Sequence, residues 1–164
     1  MITAASSLGA QTATFLDYHT TVPAGWTTRA PSSTSRLAEY VVSAKGGVPG
    51  AEVVVYFFGA RMSANVDANL ERWRDQFTNG DAKPTYERVA HDSSGAFPVT
   101  FVELHGTYRR GIGAGSADSV RAGQALIAAI VPTPRGPLFI QMFGPEARVV
   151  AERGVFSQFV TSLK

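Results

Sequence analysis

Apolar and polar positions along the chain fall into two rhythms. Residues 15–23, FLDYHTTVP, alternate as a half-buried strand does, and 36–43, RLAEYVVS, read as the next strand. Residues 52–58 and 124–131 each open on a polar residue, Glu52 and Gln124, and continue as unbroken apolar runs, the pattern of strands buried on both faces. Residues 85–92 and 97–108 flank the turn Ser93-Ser94-Gly95 and read as an antiparallel hairpin. A tight turn at Thr133-Pro134-Arg135-Gly136 leads into a further strand over 137–143. Helical spacing appears twice. Val66, Leu70, Trp73 and Phe77 form one stripe, with Ser63 as its expected cap and Asn79-Gly80 as its stop. Val149, Phe156, Val160 and Leu163 form the second, entered through Gly144-Pro145 with Glu146 at the positive end. Between these elements, Pro23-Ala24-Gly25-Trp26 reads as a turn, and 109–122 as a Gly/Ser/Ala loop.

The order of strands, helix, strands, helix, with hairpin connections, predicts an α+β domain. That is an antiparallel β-sheet covered by helices, either an α/β/α sandwich or a two-layer α+β domain. Residues 15–164 are expected to form that single domain. Residues 1–14 are expected to be a disordered or leader-derived segment, because Leu8-Gly9-Ala10 resembles the cleavage region of a secretory signal. The basic and most of the apolar part of such a signal are missing. A periplasmic location follows as the expectation, with a cytoplasmic one as the alternative.

Composition narrows the function. The 164 residues are 45% hydrophobic and 17% charged, below the ~25% charged fraction of ordinary soluble domains, which suits either a surface that docks or a core-rich single domain. Net charge is +2, and the basic residues are scattered apart from Arg109-Arg110 and Arg72/Arg74, so no phosphate-tracking surface is expected. Cysteine is absent, which excludes disulfides, thiolate zinc sites and thiol catalysis.

Candidate chemistry is sparse. Asp17 and His19, and Glu103 and His105, each share a strand face by the period of two, so all four could meet in a metal or acid/base site if their strands pair. The alternative is polar residues on strand edges. His91 completes the histidines. The glycine-rich run 111–116 leads to a strand rather than a helix, so it lacks the context of a dinucleotide fingerprint, and Ser116 lacks a nucleophile elbow. Asp67, Glu71 and Asp75 follow one helix face, as a cation site or a solvated face would. Trp73 reads as core. Trp26 reads either as a packing cap for the sheet or as an exposed anchor for a partner.

A set of short motifs resembles a group of exported bacterial proteins to which no reaction is assigned. They are Val22-Pro23-x-Gly25-Trp26, Arg36-Leu37-Ala38-x-Tyr40, the run 52–59, Asn69-x-x-Arg72-Trp73-x-x-Gln76-Phe77, Glu103-Leu104-x-Gly106-Thr107-Tyr108 and Phe143-Gly144-Pro145. Their order spans most of the chain. That group is similar to the α/β/α sandwich of PsbP, the extrinsic subunit of photosystem II, and of the Ran-binding Mog proteins. The resemblance implies the fold and a docking role, and it implies no activity. The chain is therefore expected to be a non-catalytic accessory protein without cofactor or metal. It would dock on a protein partner as an extrinsic subunit at the periplasmic face of a membrane complex, photosynthetic complexes included. Trp26, Arg109, Arg110 and Arg135 are the expected partner-binding residues. The alternative is a periplasmic small-molecule-binding protein with a sheet–helix cleft, whose polar handles are Asn69, Arg72 and Gln76.

Overall fold

The structure, a computed structural model, describes residues 10–77, 84–109 and 120–164. A hairpin of β1 (Gln11–Phe15) and β2 (Tyr18–Val22) forms its own two-stranded sheet. The main sheet comprises β3 (Trp26–Arg29), β4 (Arg36–Val42), β5 (Ala51–Phe57), β6 (Tyr86–Asp92), β7 (Val99–Arg109), β8 (Val120–Val131) and β9 (Leu138–Pro145). Their spatial order is β3-β4-β5-β9-β8-β7-β6, and every pairing is antiparallel. The helices are α1 (Val66–Gln76) and α2 (Glu146–Thr161).

The continuous apolar runs occupy the middle of this sheet, as burial on both faces requires. Along β8, Ala125, Ile127, Ala129 and Val131 join one core with Phe156, Phe159 and Val160 of α2; Leu126, Ala128 and Ile130 join the other with Leu70 and Trp73 of α1. Helices on opposite faces make the expected α+β sandwich, with two cores separated by one sheet. The hairpin is sewn to the end of α2: His19 and Lys164 exchange backbone bonds at 2.9 and 3.1 Å, and the Thr20 hydroxyl donates to the Phe159 carbonyl at 2.7 Å.

Several local expectations are corrected. Residues 15–23 are not one strand, because the chain reverses at Leu16 and Asp17, with Leu16 in the left-handed region at φ 56°. β1 begins at Gln11, inside the segment expected to be leader-derived. Pro23–Trp26 is the expected turn, closed by the Trp26 amide donating to the Pro23 carbonyl at 3.2 Å, but the chain continues from Trp26 as a short edge strand where a polar loop was expected. Asn65, not Ser63, caps α1: its Oδ1 accepts the Ala68 amide at 2.8 Å, while the Ser63 hydroxyl accepts the amide of Asn65. β8 starts at Val120, so the end of the expected 109–122 loop is strand. The expected helix stop at Asn79-Gly80 lies outside the described residues.

Candidate functional site

The two helices cover their faces unequally. α2 lies across β8 and β9 with the hairpin beside it, and together they close most of one face. α1 packs over β7 and β8, and among the described residues no element lies over β3, β4 and β5 on that side. The open half carries Val41, 36% exposed, at the Glu52 end of β5, and Phe58, 46% exposed, beyond Tyr56 at the other end, with Val54, Gln141 and the positions of Glu39 and Arg36 between them. Phe58 stacks on Tyr56 with ring centroids 5.6 Å apart and planes inclined by 13°. The Arg36 guanidinium lies 5.4 Å from the Tyr56 centroid, a cation–π contact.

A carboxylate anchors this platform. Strand alternation places Glu39 on the same side as Arg29, its direct partner across β3–β4. Oε2 of Glu39 accepts from Nε and Nη2 of Arg29 at 2.9 and 2.6 Å. Oε1 accepts from the Ser32 amide and hydroxyl at 2.8 and 2.7 Å and from Nη1 of Arg36 at 3.0 Å. Glu39 itself is inaccessible, yet its cover is largely its own charged partners rather than deep core. Burial pushes its carboxyl pKa up, but the Ser32 and arginine hydrogen bonds together outweigh that and hold it at about 2. Glu52 adds a second carboxylate to both arginines. Two acids thus neutralise two bases, and the platform is rigid and close to neutral.

The second polar cluster sits on the α2 face. Glu103 accepts from Nε and Nη2 of Arg153 at 2.8 and 2.6 Å, a bidentate pair between β7 and α2. His105 places Nε2 2.7 Å from Glu103 Oε1 and Nδ1 3.1 Å from Glu146 Oε1. The Tyr86 ring lies against its imidazole at 4.6 Å. Burial raises the Glu103 pKa, while Arg153 and then His105 lower it further, leaving it below the ordinary carboxylate value.

The expected four-residue group of Asp17, His19, Glu103 and His105 does not assemble. β2 pairs only with β1, whereas β7 pairs with β6 and β8 in the other sheet. Glu103 and His105 do meet, but Asp17 pairs with Arg135 instead. Among the described residues no cluster of three or more His, Asp or Glu side chains is arranged to hold a metal ion. Asp67, Glu71 and Asp75 all lie on the exposed side of α1. The handles expected near α1 are partly consumed: Asn69 is buried, donates to the Asn65 carbonyl at 2.8 Å and accepts from Arg72 at 2.7 Å.

The four expected partner-binding residues are dispersed. Trp26 takes the packing alternative: it is 7% exposed, lies 5.1 Å from the Phe159 ring and 5.9 Å from Tyr40, and donates its indole N–H to Glu152 at 3.3 Å. Arg135 is exposed in the β8–β9 turn. Gly136 keeps that turn tight against the end of β5, since a Cβ there would lie 2.6 Å from the Ala60 Cα. Arg109 ends β7 opposite Val120, at the other end of β8 from that turn, roughly 35 Å of strand away. Arg110 and the glycine-rich run lie outside the described residues. Sequence reasoning missed Glu39 and Arg153; the only signal for Glu39 was a lone acid inside an otherwise apolar strand.

No protein-family model and no curated protein matches the chain. Among solved structures, the solution structure of the cyanobacterial PsbP protein CyanoP from Synechocystis sp. PCC 6803 matches with a TM-score of 0.51 and 13% identity, covering 100% of this chain and 97% of that one. PA94 of Pseudomonas aeruginosa, a protein of unknown function, matches with a TM-score of 0.49 and 11% identity over 93% and 94% of the two chains. The likeness to CyanoP shows the fold: two helices on a large antiparallel sheet, in the PsbP-like manner.

Proposed function

We propose that the chain is a non-catalytic accessory protein that docks on a larger assembly, as an extrinsic subunit at the periplasmic face of a membrane complex. The open half of the α1 face carries this reading. There an aromatic pair, Tyr56 and Phe58, stands at one end of a charge-locked and nearly neutral platform, with Val41 at its other end. Such a surface suits a folded protein partner that offers an apolar contact to Phe58 and polar groups to the ion-pair network beside it. Among the described residues no helix is long and apolar enough to cross a membrane. The PsbP-like fold adds a fold-level analogy with an extrinsic subunit.

Arg135 is proposed as a further contact at the Phe58 end of the sheet, because its turn packs against the residues that follow β5. Arg109 would serve a contact at the opposite end of the sheet, so a partner engaging both Arg135 and Arg109 must span its length; Arg110, outside the described residues, is proposed as a contact from the sequence alone. Trp26 would act by shaping the face around α2. The test is gentle fractionation of native membranes from cells expressing the wild type, Phe58→Asp or Arg135→Glu. Co-migration of the wild type with one membrane complex, lost in Phe58→Asp, is the expected result. Release of the wild type as a lone monomer at low salt overturns the reading.

The second reading, a periplasmic small-molecule-binding protein, is favoured by one observation. A cavity of about 470 Å³ lies between β2, the 23–26 turn and α2, within the ~300–1,000 Å³ range of small-molecule sites. Its lining includes Trp26, Val22 and Phe159. The cleft would then be under α2 rather than beside Asn69, Arg72 and Gln76.

A further inference from the structure

A smaller cavity, of about 200 Å³, opens on the far flank of α2, above the edge pair β6–β7. Phe101, Ile127 and Phe156 form its apolar floor, and Arg88, Glu103 and Arg153 stand around it. Antiparallel register places Arg88 directly opposite Glu103, so both side chains are on the α2 face.

The charges here are not evenly committed. Both Glu103 oxygens are occupied by Arg153 and His105, so the buried acid is already satisfied. That pairing uses Nε and Nη2 of Arg153 and leaves Nη1 uncommitted among the described residues. Arg88 has no hydrogen bond or ion pair with any described residue. Asp92 also lines the cavity, but it accepts the Ser94 amide at 2.7 Å and lies four residues along β6, roughly 13 Å from Arg88. One end of the cavity therefore carries two guanidinium groups, Arg88 and Arg153, against the single carboxylate of Glu103. The middle is apolar, and the far end disfavours a second negative charge.

We propose that this cavity binds a small monocarboxylate with an apolar body, held at the carboxylate by Arg88 and Nη1 of Arg153. The body rests on Phe101, Ile127 and Phe156. The volume, equal to roughly seven water molecules' share of liquid, limits the ligand to a short chain or a single ring. Guanidinium is the side chain best matched to a carboxylate, because its planar fork donates two parallel bonds. The proposal does not depend on the docking reading, since the cavity and the open platform lie on opposite faces of the sheet.

The test is an NMR titration of the isotope-labelled full chain with sodium benzoate, and with benzyl alcohol as its neutral counterpart. Saturable shifts at Phe101, Ile127 and Phe156 are expected with benzoate, and affinity for benzyl alcohol is expected to be at least tenfold weaker. Arg88→Ala should weaken benzoate at least tenfold and leave benzyl alcohol unchanged. Arg88 is exposed on an edge strand, so its loss does not threaten the fold. Ser157→Phe, which fills the cavity from α2, should abolish both. Equal binding of acid and alcohol overturns the proposal, as do shifts clustered elsewhere or benzoate binding that survives Ser157→Phe.

Discussion

Glu39 and Glu103 are both buried acids on strands, and they do opposite jobs. Glu39 lies on the open side of the sheet and draws five hydrogen bonds from residues within ten positions of it. Its partners fasten β3, β4 and the intervening loop into one slab, and the charges cancel within the slab. Glu103 lies under α2 and joins elements far apart in sequence, with Arg153 fifty residues away. It ties a helix to a strand and leaves beside it Arg88, whose side chain has no hydrogen-bond or ion-pair partner among the described residues. A saturated local network makes a platform that other molecules can rest on. A long-range pair at the mouth of a cavity makes a polar wall.

The largest effect that distinguishes them should be on stability. Glu39→Ala removes the acceptor shared by two guanidinium groups and Ser32, and a loss of about 3 kcal/mol is expected in urea unfolding. Solvent reaches Arg29 and Arg36, which keeps the cost at the low end for a broken buried pair. A loss under about 1 kcal/mol would mean that Glu52 suffices to hold the slab.

A pH titration sharpens the same point. The carboxyl of Glu39 is held at about 2, against an ordinary 4.5, so below 4.5 the unfolded chain binds the proton first. The stabilisation is therefore complete above pH 4.5 and is lost as pH falls toward 2. It should amount to something on the order of 2 kcal/mol, after allowing for screening at the half-exposed Arg29. Glu103 is displaced in the same direction, so its contribution is also lost on acidification. Glu39→Gln should flatten most of the acid limb of the stability curve. If Glu103→Gln flattens it more, the ranking of the two sites is reversed.

How far all this was legible depends on the distance over which each contact is made. Strand alternation and helix stripes are local, so the two-faced burial of β8 and the apolar face of α2 could be read directly. Glu103 and His105 could be placed on one face because two residues is the strand period. Arg153 could not be added, because the sheet–helix crossing that delivers it is not encoded near either residue. Glu39 looked like one more residue of a strand, since register alone brings Arg29 and Ser32 to it. The reversal at Leu16 was hidden because no glycine or asparagine marks it, and β3 was hidden because Thr27, Thr28 and Arg29 are exposed on an edge. The group of Asp17, His19, Glu103 and His105 failed for a topological reason: the hairpin is a sheet of its own.

Glu103→Ala should cost less than Glu39→Ala, about 1.5 kcal/mol, because Arg153 is 40% exposed and can turn to water while His105 keeps Glu146. Melting of both variants in one buffer gives the order. A larger loss for Glu103→Ala would make the α2 clasp, rather than the slab, the main ionic support of the fold.

The smallest effect belongs to Asp17 and Arg135, which pair outside both clusters with side chains 66% and 56% exposed. The pair joins the hairpin turn to the β8–β9 turn, and a surface pair of this kind contributes about 0–1 kcal/mol. Arg135→Ala should shift unfolding by no more than about 0.5 kcal/mol, and less at high salt. That near-silence makes Arg135 informative about docking. A residue that barely affects the fold can lose co-migration only through the contact itself, so retained stability with lost co-migration would place Arg135 in the interface. Unchanged co-migration of Arg135→Glu, with loss in Phe58→Asp, would confine the interface to the open platform and remove the turn from it.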